Sequence, residues 1–413
     1  MSTVLGDTTL IRTIRLRNLL SFGPQTEELE LKSLNVLIGP NASGKSNLIE
    51  AVSLLRAAPS DLMAPIREGG GVADWLWRGI EGTPIAEIDV DVKISLHGDT
   101  NLRHFISFTR RGQYFELVDE AIEQGRSRSE PGQHVQFYYR YQKGRPVFNR
   151  PARGVVADLL RGTAEPQKEL KKADLKFGQS ILSQIKDPFE DNEITTLGDD
   201  YTSIKLYREW NLGRYTPPRI PQKADLPDDF LLEDVSNLGL VLNSLEHQHP
   251  PTWKRILEEI KHFSGGFNNV SVRIHGGTVQ IFLHESGLNQ PIPATRLSDG
   301  TLRYLCLLCI LCHPSPPPLI CIEEPEIGLH PDALLGVADL LVDASHRTQL
   351  IVTTHSDVLV DALTKVPESV VVCEKEQGST VMRRLNAEDL KEWLGKYTLG
   401  QLWREGELGG NRW

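Results

Sequence analysis

No run of about 18 apolar residues occurs anywhere in this chain, so no segment is built to cross a bilayer as a helix. The first residues lack the basic-then-apolar pattern of a secretory leader, and a cytoplasmic location is expected. No heptad pattern is sustained, which excludes a long coiled-coil arm. Internal repeats and low-complexity tracts are missing too. Cysteine is scarce: 5 in 413 residues fit reduced thiols better than a disulfide frame. Three of them, Cys306, Cys309 and Cys312, are spaced C-x-x-C-x-x-C. They fall in Leu302–Cys312, which reads as one buried helix in which cysteine is a small hydrophobe, so no metal centre is expected there.

What is present is an ordinary globular composition, 39% apolar and 24% charged, long enough for two or three domains. The net charge of −10 argues against a general coat for nucleic acid. It leaves room for a local basic groove, because phosphate binding needs only a few clustered Lys and Arg.

The strongest local signal is Gly39-Pro40-Asn41-Ala42-Ser43-Gly44-Lys45-Ser46, a full match to the phosphate-loop pattern G-x-x-x-x-G-K-[ST]. An apolar strand, Leu34–Ile38, leads into it. A helix with Leu48, Ile49, Val52 and Leu55 on one face leads out and ends near Pro59. Gly39 and Gly44 let the backbone wrap close to phosphates, and Asn41 and Ser43 lie within that wrap. Lys45 is expected to reach the β- and γ-phosphates of ATP, and Ser46 to bind Mg²⁺. Asn47 is a further polar candidate beside them.

A second signal is Leu319–Ile322, an apolar strand ending in Glu323 and Glu324. Two acids at such a strand end are costly unless a cation or water uses them. Glu323 is the candidate Mg²⁺ carboxylate, although Asp is more usual at that place. Glu324 is the candidate general base for the attacking water. His355, after the strand Gln349–Thr354, is a candidate sensor of the γ-phosphate. Ser298, Asp299 and Gly300 open a helix, where they can cap it, hold a γ-phosphate, or do both. The segment Glu326–Pro331 is expected to line a dimer seam. Gln184 is a weaker metal-site candidate, and a solvent-facing helix residue is an equal reading of it.

These motifs divide the chain. Residues 1–83 form an N-terminal half carrying the phosphate loop. Residues 84–154 form a β-rich antiparallel lobe, with strict alternation from Ile88 to Leu96 that places Asp89 and Asp91 on a polar face. Residues 155–262 read as a mainly helical insertion containing the Pro217–Pro221 loop. Residues 263–413 carry the remaining motifs, one strand at Val370–Cys373, a helix near 387–394 and a Gly- and Trp-ended tail. That tail is either a docking element or a frayed end.

Taken as a set, Leu297–Arg303, Glu323–Pro331 and Thr353–Ser356 resemble the RecF/OLD-like branch of ABC-type ATPases, and especially the stand-alone ATPases of prokaryotic defence loci. The resemblance covers about half the chain and implies an α/β fold: an ABC-type P-loop ATPase head with a β-rich lobe and a helical insertion. It also implies head-to-tail dimers, with ATP and Mg²⁺ between the phosphate loop of one copy and Ser298–Gly300 of the other. OLD-type proteins carry a Toprim nuclease after the ATPase. The 58 residues after His355 show no acid-rich metal constellation, so the resemblance implies a separate nuclease-like partner in an anti-phage effector system. A RecF-like DNA clamp is the alternative. It would use Arg110, Arg111, Arg126, Arg128, Lys168, Lys171, Lys172 and Lys176, with Phe137–Tyr141 stacking on bases.

Overall fold

The computed structural model describes residues 8–96, 99–125, 137–142, 145–148, 178–185 and 192–410. A six-stranded sheet carries the motifs. Its order is β17 (Ser379–Arg384), β16 (Val370–Glu376), β3 (Leu34–Ile38), β15 (Gln349–Thr353), β14 (Leu319–Glu323) and β9 (Lys205–Tyr207). Every neighbouring pair is parallel except the β16–β17 hairpin. All five residues of β3 and of β15 are buried, as strands covered on both faces must be. The period of two survives inside this apolar run. Val36 and Ile38 pack toward one hydrophobic cluster and Leu37 toward the other.

One face is covered by α1 (Lys45–Ala57) together with a seven-stranded antiparallel sheet. That sheet runs β2 (Leu29–Glu30), β1 (Ile11–Arg17), β4 (Ala86–Ser95), β5 (Asp99–Arg111), β6 (Tyr114–Gln124), β7 (Phe137–Gln142) and β8 (Arg145–Phe148). The antiparallel lobe expected from residue 84 onward thus takes two strands from the segment before it. Asp89 lies on its polar face as expected, where it binds Arg15 and Arg103. The short helices α2 (Met63–Glu68), α3 (Val72–Trp75) and α4 (Ile181–Gln184), and the longer α5 (Glu193–Ser203), complete this side. Buried Glu120 of β6 holds α4 in place by accepting from Ser180 Oγ at 2.5 Å and from the Ile181 amide at 2.8 Å.

The opposite face is covered by α6 (Leu238–Gln248), α7 (Pro250–Phe263), α8 (Asp299–Leu311), α9 (Pro331–Ala344), α10 (Asp357–Ala362) and α12 (Leu399–Glu405). A short α11 (Lys391–Leu394) precedes α12. A four-stranded sheet of β10 (Gln222–Lys223), β12 (Thr278–Glu285), β11 (Phe267–His275) and β13 (Ile292–Pro293) packs beside α6 and α7. The region expected to be a helical insertion therefore supplies β9 to the central sheet and β10 to this one.

Helix α8 is buried on every side from Gly300 to Leu311, which is why it is apolar all round rather than amphipathic. Cys306 and Cys309 lie inside it and Cys312 follows its last residue, all as free thiols, and burial pushes those of Cys306 and Cys312 up to about 12. No cluster of His, Cys, Asp or Glu suited to a metal occurs among the described residues. None of the described helices is long and apolar enough to cross a membrane.

Candidate functional site

The parallel sheet fixes the site. β3, β14 and β15 end at the same edge, so Gly39, Glu323 and Thr353 emerge together. The loop after β3 turns through positive φ at Gly39 (146°), Ala42 (63°) and Gly44 (102°). A side chain at Gly39 would place its Cβ 2.2 Å from the Cys373 carbonyl oxygen, and one at Gly44 would lie 2.2 Å from Thr380 Oγ1. Only glycine fits at either position.

Helix α1 begins at Lys45 with no side-chain cap on its first amides. Unpaired amides and the helix dipole suit an anion. Lys45 donates to the carbonyl oxygens of Gly39 and Pro40, both at 2.9 Å. Burial holds its pKa below the ordinary lysine value, while Cys373, Glu324 and Glu326 pull it back up. Ser43 Oγ is buried and has no hydrogen-bond partner among the described residues. An uncapped helix start, a buried ammonium and an orphaned hydroxyl form a cradle that fits phosphate oxygens. Asn47 lies outside it: its amide donates to Ser21 Oγ at 2.7 Å, and Thr380 Oγ1 donates to the Ser43 carbonyl and lies 2.7 Å from Ser21 Oγ.

Ser46 Oγ donates to Glu323 Oε2 at 3.1 Å, which joins the phosphate loop to the acid strand across 277 residues. A hydroxyl and a carboxylate oxygen at this spacing are the hard donors that Mg²⁺ takes. The next residue, Glu324, has φ 48°, a left-handed backbone that is unusual for glutamate. Its amide donates to the Thr353 carbonyl at 3.0 Å, and its carbonyl accepts from Arg303 at 3.1 Å. The Glu324 carboxylate faces His355. Glu326 Oε1 accepts from Thr354 Oγ1 and from the His355 amide, both at 2.7 Å, and so fixes the loop that carries His355.

Ser298 caps α8 by accepting from the Thr301 amide at 3.1 Å. Gly300 abuts the carbonyl of Gly328, where a Cβ would approach to 2.2 Å, so the signature loop is locked to the Glu326–Pro331 segment. Ile327 and Leu335 are exposed.

Three residues that bind these elements together, Arg208, Trp210 and Arg219, gave no sequence motif, and a fourth, Arg303, closes the Leu297–Arg303 motif. Arg208 joins Glu323 to Glu50. Trp210 Nε1 donates to the Glu323 carbonyl at 2.9 Å. Arg303 stacks over Trp210 with 4.9 Å to the ring centroid. Buried Arg219, from the Pro-rich loop, donates to Asp299 and to the carbonyls of Leu297, Ala294 and Leu212. Gln184 is the last residue of α4. Its amide donates back to the carbonyls of Gln179 and Ser180, within its own turn of helix. The residue that the neighbouring strand delivers to Glu323 is Arg208.

Two further expectations change. Tyr138 and Tyr139 are buried in the core beneath the antiparallel sheet and are not a base-stacking surface. Arg126, Arg128, Lys168, Lys171, Lys172 and Lys176 lie outside the described residues. The tail is packed in cis as far as Gly410. Gly410 donates its amide to Glu374 at 2.6 Å and accepts from Trp403 Nε1 at 2.9 Å. A second strand, β17, and a second helix, α12, also appear where one of each was expected.

A phosphate loop, an acid-ended strand, a signature helix and a strand ending in histidine on one sheet edge define a P-loop ATPase of the ABC type. Residues 34–361 match the family described as "AAA domain, putative AbiEii toxin, Type IV TA system", and the chain belongs to it. It is similar to the Old nuclease of Escherichia phage P2, at 29% identity over 215 residues that cover 46% of this chain and 36% of that protein. Its fold is similar to the SmcHead solved bound to the C-winged helix domain of ScpA, with TM-score 0.56, 16% identity and 92% and 99% of the two chains covered. It is also similar to the Smc head domain with an extended coiled coil bound to the C-terminal domain of ScpA from Pyrococcus furiosus, with TM-score 0.54, 14% identity and 94% and 99% covered. The chain is thus an OLD/RecF-like ABC-type ATPase.

Proposed function

We propose that this ATPase binds Mg²⁺ and ATP between two head-to-tail copies in the cytoplasm, and serves as sensor and scaffold of a nucleic-acid-directed, anti-phage effector system whose nuclease-like component is a separate chain. The observation that carries the nucleotide chemistry is the Ser46–Glu323 contact beside the uncapped start of α1. Gly39, Asn41, Ser43, Gly44 and Lys45 would hold the phosphates. Ser46 and Glu323 would hold Mg²⁺, which supplies charge neutralisation of the phosphate oxygens. Glu324 would take the proton of the attacking water, and His355 would hydrogen-bond the γ-phosphate. Ser298, Asp299 and Gly300 would close on the nucleotide of the second copy. ATP bridging two copies favours the closed state by differential affinity, and hydrolysis removes that bias. The effector role is supported by the family's toxin–antitoxin description and by the name of the phage P2 relative.

The test is a tagged pull-down from the native operon, with and without ATP, alongside Lys45→Ala. A neighbour-encoded protein captured in stoichiometric amount with ATP, and lost with Lys45→Ala, supports the effector reading. A homodimer that captures no such protein and binds DNA with an affinity falling steeply with salt replaces it with the clamp.

A further inference from the structure

The acid strand meets a cation supplied by the chain itself. β9 runs parallel to β14 with Tyr207 opposite Ile322, so the residues that follow, Arg208 and Glu323, leave the sheet side by side. Arg208 Nε donates to Glu323 Oε1 at 2.8 Å, and its Nη2 donates to Glu50 Oε1 at 2.6 Å. The other oxygen of Glu323 accepts from Ser46 at 3.1 Å. Trp210, two residues on, anchors the main chain of Glu323 at 2.9 Å. A glutamate is one methylene longer than an aspartate, so a single carboxylate spans both the Ser46 hydroxyl and the guanidinium. Glu50 comes from α1 and Glu323 from β14, and one guanidinium bridges the two carboxylates. Their side chains are 25% and 17% exposed, so solvent screens this group only in part.

We propose that Arg208 is the resident counter-cation of the site and sets its affinity for divalent metal. Its single positive charge offsets one of the two negative charges of Glu50 and Glu323, so a divalent cation binds these carboxylates weakly by itself and strongly only when phosphate charge accompanies it. The proposal rests on the reading of Ser46 and Glu323 as the Mg²⁺ pair. It makes Arg208 a positioning and charge-setting residue, not a catalytic one. Two effects of removing it oppose each other. Loss of the guanidinium frees Glu323 to change rotamer, which weakens metal binding. It also exposes two uncompensated carboxylates to the metal, which strengthens it. Coulomb energy between near charges in a partly buried site exceeds the cost of fixing one side chain, so the second effect wins.

The test measures binding of Mn²⁺ alone, as a spin probe, to the full chain without nucleotide by electron paramagnetic resonance. Arg208→Gln is expected to bind Mn²⁺ at least about tenfold more tightly than wild type. Arg208→Lys keeps the charge and should stay near wild type. The gain should vanish in Arg208→Gln combined with Glu323→Gln. Equal Mn²⁺ affinity in wild type and Arg208→Gln, weaker binding in that variant, or a gain that persists without Glu323 would overturn the proposal. Circular dichroism confirms that each variant is folded. If Arg208→Gln does not fold, Glu50→Gln is the substitute: it leaves the guanidinium only one carboxylate to neutralise and should weaken Mn²⁺ binding to Glu323, and unchanged or tighter binding would count against the idea. A separate readout isolates the underlying reading. If Glu323→Gln leaves the Mg²⁺ dependence of binding to a fluorescent ATP analogue untouched, the metal assignment fails whatever Arg208 does.

Discussion

Glu324 Oε1 lies 3.6 Å from His355 Nε2, and Glu324 holds this place from a left-handed backbone at φ 48°. Such a conformation costs about 1–3 kcal/mol in a residue with a side chain. It persists here because the Glu324 amide is tied to Thr353 and its carbonyl to Arg303. From this backbone, just past the strand, the carboxylate faces the histidine. Replacement of Glu324 by Gln keeps the shape and removes the carboxylate proposed as the base. We expect the variant to bind ATP, to lose at least about 100-fold in phosphate release, and to accumulate dimers on ATP addition in sedimentation velocity. His355→Ala should slow turnover while leaving nucleotide affinity within a few-fold. Normal turnover in Glu324→Gln would remove it from the base role.

Arg219 is the anchor of the signature loop. Its guanidinium satisfies the carbonyls of Leu212, Ala294 and Leu297 and pairs with Asp299. Those carbonyls are left without their donor when the side chain is cut back, and lysine cannot reproduce the fork. Arg219→Ala should lower unfolding free energy by roughly 3 kcal/mol. Arg219→Lys should lie between. Urea titration gives the stability. A loss below about 1 kcal/mol for Arg219→Ala would show that the loop is held by packing alone.

The contrast between these two sites explains what could be read in advance. Gly39–Ser46, Leu319–Glu324 and Gln349–His355 are contiguous, because each lies where a strand delivers its next residues to the site. Contiguity makes such motifs visible in sequence. Arg208 reaches Glu323 across 115 residues and Arg219 reaches Asp299 across 80. Neither sits in a repeated spacing, and β9 is three residues long, too short to show a period. An arginine within a Pro-rich apolar loop was the one available hint for Arg219. The antiparallel alternation from Ile88 was visible, but its pairing with β1, across about 70 residues of intervening chain, depends on tertiary contact and left no local mark.

Glu326 supplies a pH dependence. Burial raises its pKa above the ordinary glutamate value of 4.5, while hydrogen bonds from Thr354 and the His355 amide act the other way, and Glu324 adds to the rise. The folded chain therefore takes up this proton at a higher pH than the unfolded chain does. The contribution of Glu326 to stability is fully present below the unfolded value and is lost as pH rises through the folded one. Against Glu326→Gln as reference, wild type should gain stability as pH falls from about 7.5 to about 5. Chemical denaturation of both proteins at the two pH values measures the difference. A difference that stays constant, or shifts in favour of the glutamine variant on acidification, would contradict this account.

The tail ties the C-terminus to the start of the phosphate loop. Gly410 sits at φ 62°, and a Cβ there would come within 2.9 Å of Val372 Cγ1 and 3.4 Å of the Gly39 Cα. Glu374 and Trp403 clamp its amide and carbonyl, Arg383 holds the carbonyl of Leu408, and the Leu408 side chain is buried. The same strand, β16, presents the Cys373 carbonyl that leaves no room for a side chain at Gly39. Displacing Gly410 therefore disturbs the backbone on which the first turn of the phosphate loop rests. Gly410→Val combines a disfavoured backbone with a clash, and should cost about 1–3 kcal/mol in stability and weaken ATP binding together. Titration of a fluorescent ATP analogue, paired with a thermal melt of each protein, separates the cases. Weakened ATP binding in Gly410→Val without a shift in melting would mean that the tail acts on the loop directly. A shifted melt with intact affinity would make it a structural clasp only.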